Sequence, residues 1–122
     1  IVLQVAGAFH SSLMASATPK LEAVLSNVDV QAPSVPVVAN VTGEPHGDAD
    51  AIRDTMLKQV TGSVHWYESV NAMTAAGVTE FIECGPGAVL TGLIKRIAER
   101  GTPLHNIQNA ATLEKTVAAL VD

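Results

Sequence analysis

Aromatic residues make up only 3% of this 122-residue chain, so any core it forms must be aliphatic, built from Val, Leu, Ile and Ala. Cysteine occurs once, as Cys84, which excludes an internal disulfide. Cations are few. Seven Lys and Arg against twelve Asp and Glu leave a formal charge of −5, and nothing here forms the concentrated basic face of a nucleic-acid binder. The nearest thing to one is Lys95-Arg96 with Arg100. No apolar run nears the roughly 18 residues that a membrane span requires. No charged-then-apolar leader opens the chain, and His46, His65 and His105 show no metal-ligand spacing. The expectation is a cytoplasmic protein with no metal, no nucleic-acid partner and no membrane role, its other histidines surface or structural.

What the chain does hold is 48% hydrophobic residues, enough at this length for one domain or one large piece of a domain. It opens on the apolar run Ile1-Val2-Leu3-Gln4-Val5-Ala6 with neither a methionine nor a polar lead. A strand of that kind needs neighbours, so these residues are expected to belong to a longer polypeptide.

Further along, helix and strand patterns alternate. Leu13, Met14, Ala17, Leu21, Val24 and Leu25 fit one helical stripe, either kinked at Pro19 or starting there with Thr18 as N-cap. A strand is predicted over 35–39 and a loop over 42–47. Asp48 or Asp50 can cap a helix that carries Ile52, Met56, Leu57 and Val60 and closes at Gly62. Ser63 can cap another, with Trp66, Val70 and Met73 inward. A short strand over 79–83 then meets Gly85-Pro86-Gly87 and a helix with Val89, Leu90, Leu93, Ile94 and Ile97 inward. A last strand over 104–107 precedes a helix capped by Thr112, with Leu113, Val117 and Leu120 facing in. Strands separated by helices favour parallel pairing, because parallel neighbours need a long crossover, so the fold class is α/β.

Three features could carry chemistry. His10, within Gly7-Ala8-Phe9-His10-Ser11, sits between a strand pattern and a helical one, where a ring that titrates near neutrality can act as general base if its other nitrogen is held. The plainer reading is a loop histidine satisfied by hydrogen bonds. Gly85-Pro86-Gly87 can aim backbone amides at an anion or oxyanion, though such turns more often serve as tight connections. Cys84 reads as a buried thiol at a strand end rather than a nucleophile. The sequence contains no Gly-x-Ser-x-Gly turn to give His10 a serine partner.

Taken together, Gly7-Ala8-Phe9-His10-Ser11 with Leu13-Met14, Val35-Pro36-Val37-Val38 with Asn40-Val41-Thr42, Gln59, Val64 and Trp66, and Glu83-Cys84-Gly85-Pro86-Gly87 with Val89-Leu90 and Leu93-Ile94-Lys95-Arg96 resemble the C-terminal part of the malonyl-CoA:acyl carrier protein transacylase family. The similarity runs from about Val5 to Ile97. It implies a parallel-sheet α/β-hydrolase-like core with an inserted ferredoxin-like subdomain, of which residues 1–9 would be the end and 10–122 the return to the core.

The activity so implied is acyl transfer in fatty-acid synthesis. A serine takes malonyl from coenzyme A and passes it to the phosphopantetheine thiol of acyl carrier protein, with no further cofactor. His10 matches the family's catalytic histidine, and Gln59 a glutamine whose backbone carbonyl holds that imidazole in place of a triad carboxylate. Phe9 resembles the malonyl-selecting variant of the motif, a phenyl wall that leaves no room for an α-methyl. The nucleophilic serine, an oxyanion loop and a carboxylate-gripping arginine would all lie upstream, so the fragment alone is expected to be inactive. Lys95, Arg96 and Arg100 are expected on one helix, with 96 and 100 on one face, as a docking patch for an acidic carrier protein or simply as a solvated face. An acyltransferase domain of a polyketide synthase, a related thioester hydrolase and a non-catalytic binding module are the alternative readings.

Overall fold

The computed structural model describes residues 7–121, and the strand expected over 1–6 lies outside them. The chain divides into two compact units, one up to Ser69 and one from Val70 onward. The boundary expected between residues 9 and 10 therefore lies near the edge of the described part.

In the first unit Ser11 opens a 3-10 helix, Ser12–Ala17, which runs directly into α1, Thr18–Leu25. Pro19 lies in the first turn of α1, where its missing N–H leaves no bond unmade. The late-starting version of the first helix is thus the one formed, but the residue before it is Ala17 and no side chain caps it. The tighter 3-10 period breaks the expected stripe, and Leu13 is left 78% exposed.

The strand expected over 35–39 shrinks to β1, Val38–Ala39. It pairs antiparallel with β2, Glu44–Pro45, inside what the sequence suggests is a loop. Gly43 makes this hairpin possible at φ +75°, packed so closely on Glu68 that a Cβ would lie 2.6 Å from that residue's own. α2, Ala49–Gln59, begins where the Asp48 carboxylate accepts the Ala51 amide at 2.9 Å. Asp50 in its first turn and Lys58 in its last both suit the helix dipole. Arg53 ties α2 to the segment after α1 by donating to the Val28 carbonyl at 3.0 Å. Among the described residues of this unit, Leu25 and Ala39 are the buried apolar side chains.

α3, Trp66–Ala75, spans the division between the units. In the second unit β3, Phe81–Cys84, and β4, Leu104–Ile107, pair in parallel in the register Phe81 to Leu104 through Cys84 to Ile107. α4, Val89–Ile97, forms the crossover, and α5, Ala110–Val121, packs on β4. The α/β class and the parallel pairing expected from alternating helix and strand are both present. α5 starts earlier than a Thr112 cap would allow, because the Asn109 side chain accepts the Thr112 amide at 3.0 Å instead.

The inward faces expected for α4 and α5 are only partly inward. Val70, Phe81 and Ile94 are buried, whereas Val89, Leu90, Leu93, Leu113, Val117 and Leu120 are between 38% and 72% exposed. A two-stranded sheet is too narrow to cover two full helical stripes. No helix among the described residues is long and apolar enough to cross a membrane.

Candidate functional site

The site assembles at the C-terminal end of α2. Its last four carbonyls have no partner within the helix and must find donors elsewhere. The chain turns sharply there: the Gly62 amide donates to the Lys58 carbonyl at 2.8 Å. Gln59 is the last helical residue, and its carbonyl oxygen lies 3.0 Å from Nδ1 of His10, 49 positions away in sequence. The helix end thus presents a preorganised acceptor, with its partial negative charge, to one nitrogen of the ring.

His10 is aimed by the turn that holds it. The Ser11 hydroxyl donates to the Ala8 carbonyl at 2.7 Å and accepts the Leu13 amide at 3.4 Å, closing the chain on both sides of the imidazole. Within this turn His10 has φ +57°, and it is the only residue other than glycine with positive φ among those described. Such a conformation is uncommon for a residue with a Cβ and marks a place where the surroundings dictate the backbone. With its proton on Nδ1 the ring donates to Gln59 and turns a bare Nε2 outward, the form that can accept a proton. The imidazole is exposed, and no side chain among the described residues bonds to Nε2.

Phe9 is 61% exposed, its ring folded back over Gly7, where an added Cβ would meet it at 3.5 Å. The three cations of the second unit are arranged differently from the sequence expectation. Ala98 is extended and ends α4 at Ile97, so Arg100 is not on that helix and shares no helical face with Arg96. Lys95 and Arg100 instead line a depression of about 500 Å³ with Thr91, Glu99 and Thr102, and Arg96 is not among its walls.

The Gly85-Pro86-Gly87 turn is a tight connection, the commoner of its two readings, and its Gly85 amide donates to the Ile107 carbonyl at 2.9 Å. The Glu83 carboxylate accepts the Leu90 and Thr91 amides at 3.1 and 2.8 Å and the Thr91 hydroxyl at 2.6 Å, while the Gly87 amide donates to Gln108. The Thr91 hydroxyl, then the Thr91 and Leu90 amides, hold the Glu83 carboxyl below the ordinary carboxylate range. Cys84, expected to be buried, is exposed.

A folded-state pKa below the unfolded one contributes stability above the ordinary carboxylate range, and that contribution is lost as the pH falls through the folded value. Glu83→Gln should therefore lower the thermal midpoint at neutral pH, with the gap to the unsubstituted protein closing in acid. Circular dichroism melts across pH read this directly, and a gap independent of pH would count against the capping role.

His105 takes the structural of its two expected roles: it is only part-exposed and pairs with Glu80 through Nε2 at 2.6 Å. His46 meets the Thr55 hydroxyl at 2.9 Å. Sequence spacing carries no signal for either pairing. No group of three or more potential metal ligands comes together among the described residues.

No family model matches the chain. Malonyl CoA-acyl carrier protein transacylase of Bacillus subtilis is 42% identical over 120 residues, covering 98% of this chain and 38% of the relative. The crystal structure of acyl-carrier-protein S-malonyltransferase from Burkholderia pseudomallei matches with a TM-score of 0.88 at 40% identity, over 97% of this chain and 38% of that one. A malonyl-transacylase in complex with its type II polyketide synthase acyl carrier protein matches with a TM-score of 0.87 at 36% identity, over 96% and 38% respectively. The chain thus spans about two fifths of the length of these proteins. Over nearly all of its own residues it shares sequence and fold with the malonyl CoA-acyl carrier protein transacylases, and it is a relative of a segment of that family.

Proposed function

We propose that this chain is the base-bearing part of a transacylase that moves malonyl from coenzyme A to acyl carrier protein in fatty-acid synthesis. The observation that carries the reading is the contact between His10 Nδ1 and the Gln59 carbonyl, which, in the tautomer with its proton on Nδ1, leaves Nε2 bare beside open solvent. Nε2 takes the proton of a serine hydroxyl as that oxygen bonds to the thioester carbon. The imidazolium, held against the α2 carbonyl, then gives its proton to the departing thiolate as the C–S bond breaks. The second half runs in reverse: the carrier thiol loses its proton to Nε2, its sulfur bonds to the acyl carbon, and the serine oxygen leaves with that proton. A carbonyl orients the ring without adding a negative charge, so Gln59 does by position what a carboxylate does in a Ser-His-Asp triad.

The serine comes from polypeptide other than this chain's 122 residues, since no Gly-x-Ser-x-Gly turn is present in them. In the same reading the parallel β3–β4 pair with its α4 crossover is part of an α/β-hydrolase-like core, residues 1–9 close a ferredoxin-like subdomain, and the enzyme is cytoplasmic. The acyl donor is a coenzyme A thioester and no other cofactor takes part. Lys95 and Arg100 give an acidic carrier protein a positive place to dock.

Mass spectrometry of the complete protein, mixed with equal malonyl-CoA and methylmalonyl-CoA, tests the reading. A malonyl adduct on serine that passes to the carrier thiol is the expected result. Loss of the adduct to water instead would favour a hydrolase, and no adduct would favour a binding module. Phe9→Ser should shift the adduct ratio toward methylmalonyl by about 10- to 200-fold, the worth of one methyl in a pocket. An unchanged ratio would remove Phe9 from the specificity wall.

A further inference from the structure

Two groups of one residue face the same nitrogen of His10. The Gln59 carbonyl oxygen lies 3.0 Å from Nδ1, and the Gln59 side-chain Nε2 lies 3.2 Å from it. The first can only accept a hydrogen bond and the second can only donate one. Nδ1 therefore satisfies one at a time: with a proton it donates to the carbonyl, and without one it accepts from the amide.

The amide cannot resolve the conflict by turning over. Its Nε2 also donates to the Gly62 carbonyl at 3.0 Å and lies 3.5 Å from the Ser63 carbonyl. A flip would set Oε1 against two acceptors. In the observed orientation Oε1 is buried with no hydrogen-bond partner, an arrangement that is unfavourable in itself and has to be maintained by the contacts of Nε2. The cationic side chains of α2 do not arbitrate, because Lys58 is paired with Asp54 and Arg53 with Asp50.

From this conflict the geometry points to a second role for Gln59: its side chain is a positioning residue that selects the tautomer of His10. The backbone carbonyl stabilises the form with Nδ1 protonated and Nε2 bare, which can act as base. The side-chain amide stabilises the opposite form, with Nε2 protonated and unable to take a proton from a hydroxyl. One residue thus writes both states of the ring, and the balance between its two groups sets the share of molecules ready to react. A carboxylate at the same place would favour only the first state, which distinguishes this site from a Ser-His-Asp arrangement.

The inference rests on His10 being the base, but its test reads ring nitrogens rather than turnover, so either idea can fail alone. Imidazole ¹⁵N spectra of the complete protein, recorded where the ring is neutral, would be compared with those of Gln59→Met, which keeps the carbonyl and removes the amide. The expected result is a move of the Nδ1 resonance toward the protonated type in the variant. Identical Nδ1 protonation in the two proteins would overturn the proposal. Should the variant not fold, the unsubstituted protein decides: a correlation across the hydrogen bond from the Gln59 amide to His10 Nδ1 supports the assignment, and its absence refutes it.

Discussion

Replacing His10 with asparagine in the complete protein should lower malonyl transfer by about 10²- to 10⁴-fold, the usual worth of a positioned general base. Asparagine is the informative choice because of the backbone. At φ +57° alanine would add strain to the loss of the ring, whereas asparagine tolerates that conformation better than most residues. His10→Asn should therefore keep the thermal midpoint close to that of the unsubstituted protein while losing the chemistry. His10→Ala should lose both, to different degrees. The loss should appear in the rate at which the acyl-serine adduct forms as well as in its transfer, since one ring serves both halves of the reaction. A His10→Asn protein that transfers malonyl within tenfold of normal would show that the imidazole is one of the many loop histidines satisfied by hydrogen bonds and nothing more.

The parts of this chain that can be read from sequence are those in which one local signal decides the outcome. Asp48 before an apolar stripe starts α2, and a strand, a glycine turn and a strongly amphipathic helix give β3 and α4. Where two signals compete, the reading goes astray. Leu13 and Met14 fit an α-helical stripe, but Ser11 caps a 3-10 turn, and the change of period turns Leu13 outward. The β1–β2 hairpin is only two residues long on each side and one of those residues is Pro45, so no run of alternation exists to be seen. The four-residue spacing of Arg96 and Arg100 suggests one helical face, but the extended backbone of Ala98 ends α4 at Ile97. Cys84 reads as buried because free cysteine is among the most buried residue types, but a sheet of two strands leaves it exposed at the strand end.

The site divides in the same way. His10 announces itself by residue type. Its partner is a backbone carbonyl, a group every residue has, so Gln59 could be tied to the ring only through the resemblance to a family and not by residue chemistry. The conflict between the two Gln59 groups needs coordinates to become visible, since it depends on 3.0 and 3.2 Å approaches to one atom.

The other large effect is expected at a residue with no side chain. A Cβ on Gly62 would lie 2.7 Å from Cγ2 of Val41 and 2.8 Å from the Lys58 carbonyl oxygen, both too close to stand. The Val41 methyl can rotate or be trimmed away, but the Lys58 carbonyl is backbone and already accepts the Gly62 amide at 2.8 Å. Gly62→Ala must therefore open the turn that ends α2, at an expected loss of about 1–3 kcal/mol of stability for an overpacked site. The same turn carries the Gln59 carbonyl, and displacing a catalytic orienter by about 1 Å can cost about 10²-fold in rate. The two consequences separate in the double variant. Adding Val41→Ala removes the side-chain clash and should restore part of the thermal midpoint. It leaves the backbone clash in place, so malonyl transfer, measured well below the melting transition, should stay low. Full recovery of transfer in the double variant would mean that the valine alone was the obstacle. Normal transfer in Gly62→Ala itself would mean that the ring of His10 does not depend on where that carbonyl stands.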